Sequence, residues 1–342
     1  MPLVQSTSNA FELVDRTNEL LLLPKTWTLL GDSGLFRDEP LSTQTVTFEE
    51  RSGNLTLVGD QIRGAKPQTR TGDVRKMHSY GTTHHPIADA LYPQDIAGVT
   101  RPGANGVALD TESAAILRKL EGIRKSFDVT MEVARFKTLG TGQVWAPNGT
   151  VVADFYTDFG LTRNQVDFVL GTGTTDIVAK CEEIIAGFQA SATEGQIINR
   201  VLGYASPVFF RKLIAHAKVQ TAYTYFSATE GQMILRNRAG GSGLYRTFSF
   251  AGIDFIEVPT VLAGEALVVS GDCVFVAQDD TGSFTTYRSP ANRFGFVNTI
   301  AENSYVWTYR NERNTEITFE AEMNFLNVLR KPNFVSRGYS SN

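Results

Sequence analysis

The sequence is short of everything that marks a membrane protein, a disulfide scaffold or a catalytic site. No run of about 18 apolar residues occurs along its 342 positions, so no membrane-spanning helix is expected. Leu20 to Leu23 is too short for a secretion signal, and the first residues lack the basic-then-apolar layout of one. Cys181 and Cys273 are the only cysteines, too few for a disulfide framework or a zinc site, and synthesis in a reducing cytoplasm is the expectation. Basic residues (32) are outnumbered by acidic ones (36), and the net charge of −4 argues against a dedicated nucleic-acid binder while allowing contact at one face.

Chemistry is equally sparse. There is no Gly-x-Ser-x-Gly elbow, and Asp279-Asp280 alone makes a poor metal site. His78, His84 and His85 cluster, but no carboxylate or cysteine stands at ligand spacing, so hydrogen-bonding or surface histidines are expected rather than a metal centre. Gly171-Thr172-Gly173-Thr174-Thr175 before a helix resembles a phosphate-cradling loop. It lacks the Gly-Lys-Ser/Thr ending, and Asp176 puts a carboxylate where a phosphate would sit, which favours a cap and turn. No catalytic, cofactor-binding or metal-ligating residue is predicted.

What is present is a long amphipathic bar. From Asp110 to Gly140, apolar residues fall at Ile116, Leu120, Ile123, Phe127, Met131 and Ala134, steps of three and four that trace one helical stripe. Charged residues, among them Arg118, Arg124, Asp128, Glu132 and Arg135, fill much of the remainder. Asp110 can cap the start, Glu112 suits the positive end of the helix dipole, and Gly140 can end it, giving a helix on the order of 40 Å long. Gln143 to Phe155 then reads as strand, turn, strand around Pro147-Asn148-Gly149. A helix running into a hairpin makes a sheet-on-helix layer, an α+β arrangement.

The flanks differ. Phe11 to Leu30 is greasy, and reads either as a short helix folded onto its own core or as an arm packed on a neighbouring subunit. Thr45 to Val58 alternates as a strand with a turn at Gly53-Asn54. Gly59 to Thr83 is polar and basic, with Arg63, Lys66, Arg70, Arg75 and Lys76, and cannot build a core; it reads as a projecting loop whose charge meets an acidic neighbour. Leu161 to Tyr287 reads as a compact inserted α/β unit. It has a strand over Val166 to Leu170 and a helix with Ile177, Cys181, Ile184, Ile185 and Phe188 on one face. A further helix begins at Pro207, and Thr224 to Arg246 is a polar, glycine-rich stretch. Alternating strands close the chain at Tyr305 to Arg310 and Ile317 to Leu326.

The order of these parts resembles the lambda-type major capsid proteins of tailed bacteriophages, the capsid protein E family with the Hong Kong 97-type fold. The resemblance rests on Ala134-Arg135-Phe136-Lys137-Thr138-Leu139-Gly140 running into the hairpin, with Asp154-Phe155 and Asp158-Phe159-Gly160 after it. Pro207-Val208-Phe209-Phe210-Arg211-Lys212-Leu213, Phe319 to Asn324 and Lys331 to Val335 complete it.

The resemblance implies an N-terminal arm (1–35), an extended E-loop (36–97) and a peripheral domain with spine helix and hairpin (98–160). An axial domain (161–290) and a return to the peripheral domain with a C-terminal tail (291–342) follow. It implies a non-enzymatic shell subunit that assembles as hexamers and pentamers into an icosahedral head around phage DNA. Such a subunit is built in the host bacterial cytoplasm and located in the virion. Portal and scaffold proteins are implied partners, with a cement or decoration protein by analogy, and DNA contact is non-specific. An encapsulin-like compartment shell and a soluble α/β enzyme stand as alternatives. Inter-subunit contact candidates are Leu21, Leu22, Trp27, Arg63, Lys66, Arg70, Arg75 and Lys76. Lys66 lies in the loop from which some relatives form covalent crosslinks, but no matching asparagine and acid are identified, so no crosslink is expected.

Overall fold

The spine helix spans Glu112–Thr141, 30 residues, or about 45 Å at 1.5 Å per residue. The computed structural model describes residues 13–26, 28–52, 74–97, 111–145, 150–192, 196–226, 238–239 and 245–342. Thr111 caps the helix, its Oγ1 accepting from the Ala114 amide at 3.3 Å; Asp110 lies outside the described residues. The helix runs through Gly140 and ends at Gly142, whose φ of 75° is left-handed and whose amide donates to the Thr138 carbonyl at 2.8 Å. A Cβ at Gly142 would meet the Tyr156 ring at 2.3 Å, so both backbone and space call for glycine there.

The stripe is covered by the first of two large sheets. Its centre is the long strand Ile317–Leu329. Tyr305–Arg310 and then Phe284–Arg288 pair along one edge of that strand, and Thr83–Leu91 along the other. Val14–Asp15 adds to the Tyr305–Arg310 strand, and Arg37–Pro40 pairs in parallel with Phe284–Arg288. Ile116, Leu120, Ile123, Phe127, Met131 and Ala134 are all buried against Val306, Phe319, Ala321, Met323 and Phe325 of this sheet. Each such large side chain contributes about 1.5–3 kcal/mol by leaving water.

The last turns of the helix enter a second core. Val133, Phe136 and Leu139 join a cluster built on a seven-stranded sheet. Its order is Arg238–Ala239, Tyr245–Phe250, Ile253–Glu257, Ile198–Ala205, Asp272–Asp279, Val335–Tyr339, Asn164–Asp167. The helices Ile177–Ser191 and Pro207–Ala215 begin at side-chain caps, Asp176 to the Ala179 amide and Ser206 to the Phe209 amide. They bury Ile177, Cys181, Ile184 and Phe188, and Phe209, Phe210 and Leu213.

Several boundaries differ from the sequence reading. Phe284–Arg288 lies in the first sheet, and Val335–Tyr339 returns to the second, between Asp272–Asp279 and Asn164–Asp167. Chain proximity misleads here, because both strands take partners far away in sequence. Thr83–Leu91, read as part of the loop, is an edge strand of the first sheet, with Thr83, His85 and Leu91 buried and Ile87 half-buried. Thr45–Ser52 pairs with Val74–Gly81; the turns expected at Gly53-Asn54 and Pro147-Asn148-Gly149 lie outside the described residues. The strand expected over Val166 to Leu170 is Asn164–Asp167, and Val169 instead takes a left-handed φ of 43°. Ala217–Phe226 is a helix that the sequence shows no clear stripe for.

Two outcomes follow from this packing. Leu120→Ala or Phe127→Ala should cost about 2–5 kcal/mol in denaturant unfolding, whereas Leu117→Ala, on the exposed side, should stay within about 0.5 kcal/mol. Equal effects at Leu117 and Leu120 would contradict the stripe. The second concerns His85, stacked 4.5 Å from Phe325 with Nε2 at 2.9 Å from Thr83 Oγ1. Burial, and secondarily the charge of His84, lower its pKa from 6.5 to about 4. The unfolded chain therefore binds the proton first, and this stability is lost as pH falls from 6.5 toward 4, by up to about 3 kcal/mol. His85→Gln should flatten that slope in unfolding measured from about pH 7 to about pH 4.

Candidate functional site: the assembly surfaces

The side of the spine helix that should carry solvated charge is instead a buried junction. Glu132, only 3% exposed, accepts from the amides of Leu30 at 2.7 Å and Gly31 at 3.2 Å. Asp128 accepts from the Thr26 amide at 2.8 Å, and Arg124 donates Nη1 to the Leu20 carbonyl at 3.3 Å. Arg135 donates to Asp38 at 3.0 Å and to Thr286 Oγ1 at 3.1 Å, and its guanidinium lies 5.2 Å from the Phe36 ring. Arg288 reaches the same Asp38 at 3.3 Å and the Asn303 carbonyl at 3.2 Å. Burial pushes the Glu132 carboxyl up and the Arg135 guanidinium down, and their partners pull both back. Removing one member of such a group strands another and costs about 3–5 kcal/mol.

This junction holds residues 16–38 against the chain's own helix. Leu20, Leu29 and Leu30 are buried at home, which answers the greasy stretch in part. Leu21 is half-buried, Leu22 is 87% exposed at the end of the helix Thr17–Leu22, and Trp27 lies outside the described residues. The run is thus divided: one face is core and Leu22 points away from it.

A second surface is a ribbon. Thr45–Ser52 and Val74–Gly81 form a two-stranded antiparallel hairpin, from Thr45 opposite Gly81 to Ser52 opposite Val74. Eight residues a strand make it about 27 Å long. Its base is fastened to the body by rings. His78 lies 4.8 Å from Phe159, Phe48 stacks on Phe159 at 6.3 Å, and Tyr80 meets Phe155 edge-on at 5.7 Å. The Tyr80 hydroxyl also donates to Asp158 at 2.8 Å. Further along, Arg75 pairs with Glu49 at 3.3 Å, Lys76 is exposed, and Met77 is exposed. Arg63, Lys66 and Arg70 lie outside the described residues. A two-stranded ribbon is marginal in water by itself and is stabilised by something packed upon it.

The reactive residue types are engaged structurally. Burial pushes the Cys181 thiol up to about 12 and the Cys273 thiol well above its usual range, which suppresses the thiolate. His84 Nδ1 meets Asn324 Oδ1 at 2.7 Å, and His216 Nε2 meets the Thr172 carbonyl at 3.0 Å. The glycine-rich turn before the helix Ile177–Ser191 is filled by the chain's own C-terminus: Asn342 Oδ1 accepts from the Gly171 amide, and Asn342 Nδ2 donates to Thr172 Oγ1, both at 3.0 Å. Among the described residues no group of three His, Cys, Asp or Glu can hold a metal ion.

Sequence reasoning missed the charge junction, because Arg124, Glu132 and Arg135 sit at positions that usually face water. It also passed over the loop 290–303, where Phe294, Val297 and Ile300 are exposed. Phe294, Val297 and Ile300 close together in a segment with Asn292, Gly295 and Asn298 were the available signal.

Comparison with known proteins agrees with this geometry. Residues 13–339 match the family described as phage major capsid protein E. The major capsid protein of Pseudomonas phage KPP10 is 35% identical over 349 residues, covering 98% of each chain. That of Salmonella phage Felix O1 is 26% identical over 359 residues, covering 96% of each. In fold, the chain is similar to the capsid protein of Ralstonia phage GP4 (TM-score 0.54, 8% identity, 100% of this chain and 96% of that one). It is also similar to that of cyanophage P-SCSP1u (TM-score 0.53, 11% identity, 94% and 90%). Those likenesses give the architecture a name, the Hong Kong 97-type capsid fold. With a family match over nearly its whole length and a relative 35% identical over 98% of each chain, the chain belongs to the phage major capsid protein E family.

Proposed function

We propose that this chain closes into hexamers and pentamers that tile an icosahedral phage head around DNA, with Leu22, the ribbon carrying Arg75 and Lys76, and the segment bearing Arg63, Lys66 and Arg70 reaching neighbouring copies. The observation that carries the contact assignment is the ribbon of Thr45–Ser52 and Val74–Gly81, whose inner part packs on the body through Val46, Phe48 and Tyr80 while Arg75, Lys76 and Met77 further out are exposed. Head-to-tail contacts between identical copies close rings, and the same contacts at slightly different angles serve five-fold and six-fold positions. Each contact is weak by itself; an exposed ion pair such as Arg75–Glu49 contributes about 0–1 kcal/mol. A subunit held by several neighbours at once adds such terms into a stable shell.

The family is structural and the protein is not an enzyme; the family match also favours a phage head over a compartment shell or a soluble enzyme. The net charge of −4 suits a container for DNA, because a strongly basic lining would bind the phosphate backbone tightly. Portal, scaffold and decoration proteins are partners this reading brings with it, and assembly in the host cytoplasm is its setting. Maturation would be a shift between two packings of one subunit, with the spine helix as the rigid element that moves.

Three measurements test this. Electron microscopy of the recombinant protein should show closed shells or rings; a monodisperse small oligomer at high concentration would contradict the proposal. Arg75→Glu with Lys76→Glu should leave unfolding stability within about 0.5 kcal/mol yet reduce assembly, and raising salt should weaken wild-type assembly in the same direction. Boiled particles should run as a single band on a denaturing gel, since no crosslink from Lys66 is expected; a covalent ladder would refute that.

A further inference from the structure

Buried charge is unevenly matched on the polar side of the spine helix. A cavity of about 110 Å³ lies where that helix meets Thr28 of the N-terminal segment and Ser304 of the first sheet's connecting loop. The charged side chains lining it are Lys25, Arg124, Arg135 and Arg288 against Asp38 and Asp128. Lys25 is answered from outside the lining by Asp32, at 3.4 Å. That leaves three guanidinium groups and two carboxylates around the space. Glu132, a further acid close by, is taken up by the amides of Leu30 and Gly31.

Position makes the mismatch larger. Arg135 and Arg288 share Asp38, at 3.0 Å and 3.3 Å. Their side chains are 5% and 11% exposed whereas that of Asp38 is 49% exposed, so water screens the carboxylate and not the cations it serves. Burial and the Arg288 charge push the Arg135 guanidinium down, against the pull of Asp38. Arg124 and Asp128 stand 3.6 Å apart, beyond hydrogen-bond reach. Among the described residues, the Nε of Arg124 and the Nε of Arg288 are buried and find no acceptor. A buried guanidinium with an unused N–H is costly, and one added anion would relieve both the repulsion and the orphan donors.

We propose that this cavity binds a small tetrahedral oxyanion, phosphate or sulfate, held by Arg124, Arg135 and Arg288 with Ser304 as a hydroxyl donor. The forks of Arg124 and Arg288 turn their Nε edges to the ion as it binds. About 150 Å³ of cavity accommodates a benzene ring, so 110 Å³ has room for about four or five heavy atoms, the size of such an ion. An oxyanion offers pairs of oxygens that match the guanidinium fork, whereas chloride offers a single centre. Lys25 and Asp38, each about half exposed, mark the side from which the ion enters. Once bound, it ties the N-terminal segment, the spine helix and the strand Phe284–Arg288 into one charge network, and it stabilises the chain by mass action. The site lies within one copy of the chain and does not rest on the shell reading.

Equilibrium dialysis of the full chain against labelled phosphate tests it, at fixed ionic strength with gluconate as the balancing anion. A single phosphate should bind per chain, sulfate should displace it and chloride at the same concentration should not. The melting temperature should rise in step with occupancy. Arg288→Lys and Arg124→Lys keep each charge but lose the fork, and each should weaken phosphate binding by about tenfold or more. Ser304→Ala, the mildest change, should weaken it severalfold and serves if a lysine variant does not fold. Arg200→Gln, at an exposed arginine outside the cavity, should bind as the wild type does. No saturable binding by the wild type at about 10 mM phosphate would overturn the proposal and leave the cavity to water. Equal displacement by chloride, or unchanged binding in all the cavity variants that fold, would overturn it too. None of these outcomes touches the shell reading.

Discussion

A helix of 30 residues with a single apolar stripe has to be covered from end to end, and most of the structure is arranged to do so. The first sheet covers Ala115 through Met131, and the seven-stranded sheet receives Val133, Phe136 and Leu139. The helix therefore belongs to two cores at once and makes them one stiff body. The sheets also meet directly in the second core, through Phe284, Tyr287, Leu326, Val328 and Leu329 of the first sheet. A rod shared by both cores suits the shift of packing proposed above for the assembled subunits.

The same helix organises its polar face. Glu132, Asp128 and Arg124 bind backbone groups of residues 20–31, and Arg135 and Arg288 converge on Asp38. These charges stabilise through hydrogen bonds of fixed direction, so they add register more than net free energy. The described parts of residues 16–40 are thereby bound to the body of their own chain, while the side chains of Leu22 and Phe294 stay exposed. The division between what is kept at home and what is offered outward is made at the level of single side chains: Leu20 is buried and Leu22, two positions on, is exposed.

Much of this was legible in the sequence. All six stripe residues are buried, because a three-four spacing leaves a helix few alternatives. The cap at Asp176 and the start at Pro207 follow from local chemistry that needs no tertiary context. What was not legible depends on distant partners. Glu132 and Arg135 look like surface charges until Leu30 and Asp38 are brought to them across about a hundred residues. Val335–Tyr339 lies in the second sheet because its partners are Asp272–Asp279 and Asn164–Asp167, which nothing nearby announces. Gly140 and Gly142 are equivalent as sequence; the Tyr156 ring against Gly142 is what makes the latter the end of the helix. The contact candidates Trp27, Arg63, Lys66 and Arg70 fall outside the described residues.

The central proposal is that the outer part of the ribbon of Thr45–Ser52 and Val74–Gly81 gains its stability from a neighbouring copy, since its inner part, with Val46, Phe48 and Tyr80, already packs on the body. Hydrogen exchange measured on free subunits and on assembled particles tests it most directly. The account predicts that outer ribbon amides exchange fast in the free subunit and become strongly protected on assembly, while the Ile317–Leu329 strand is protected in both. Equal protection of the outer ribbon in the two states would contradict it.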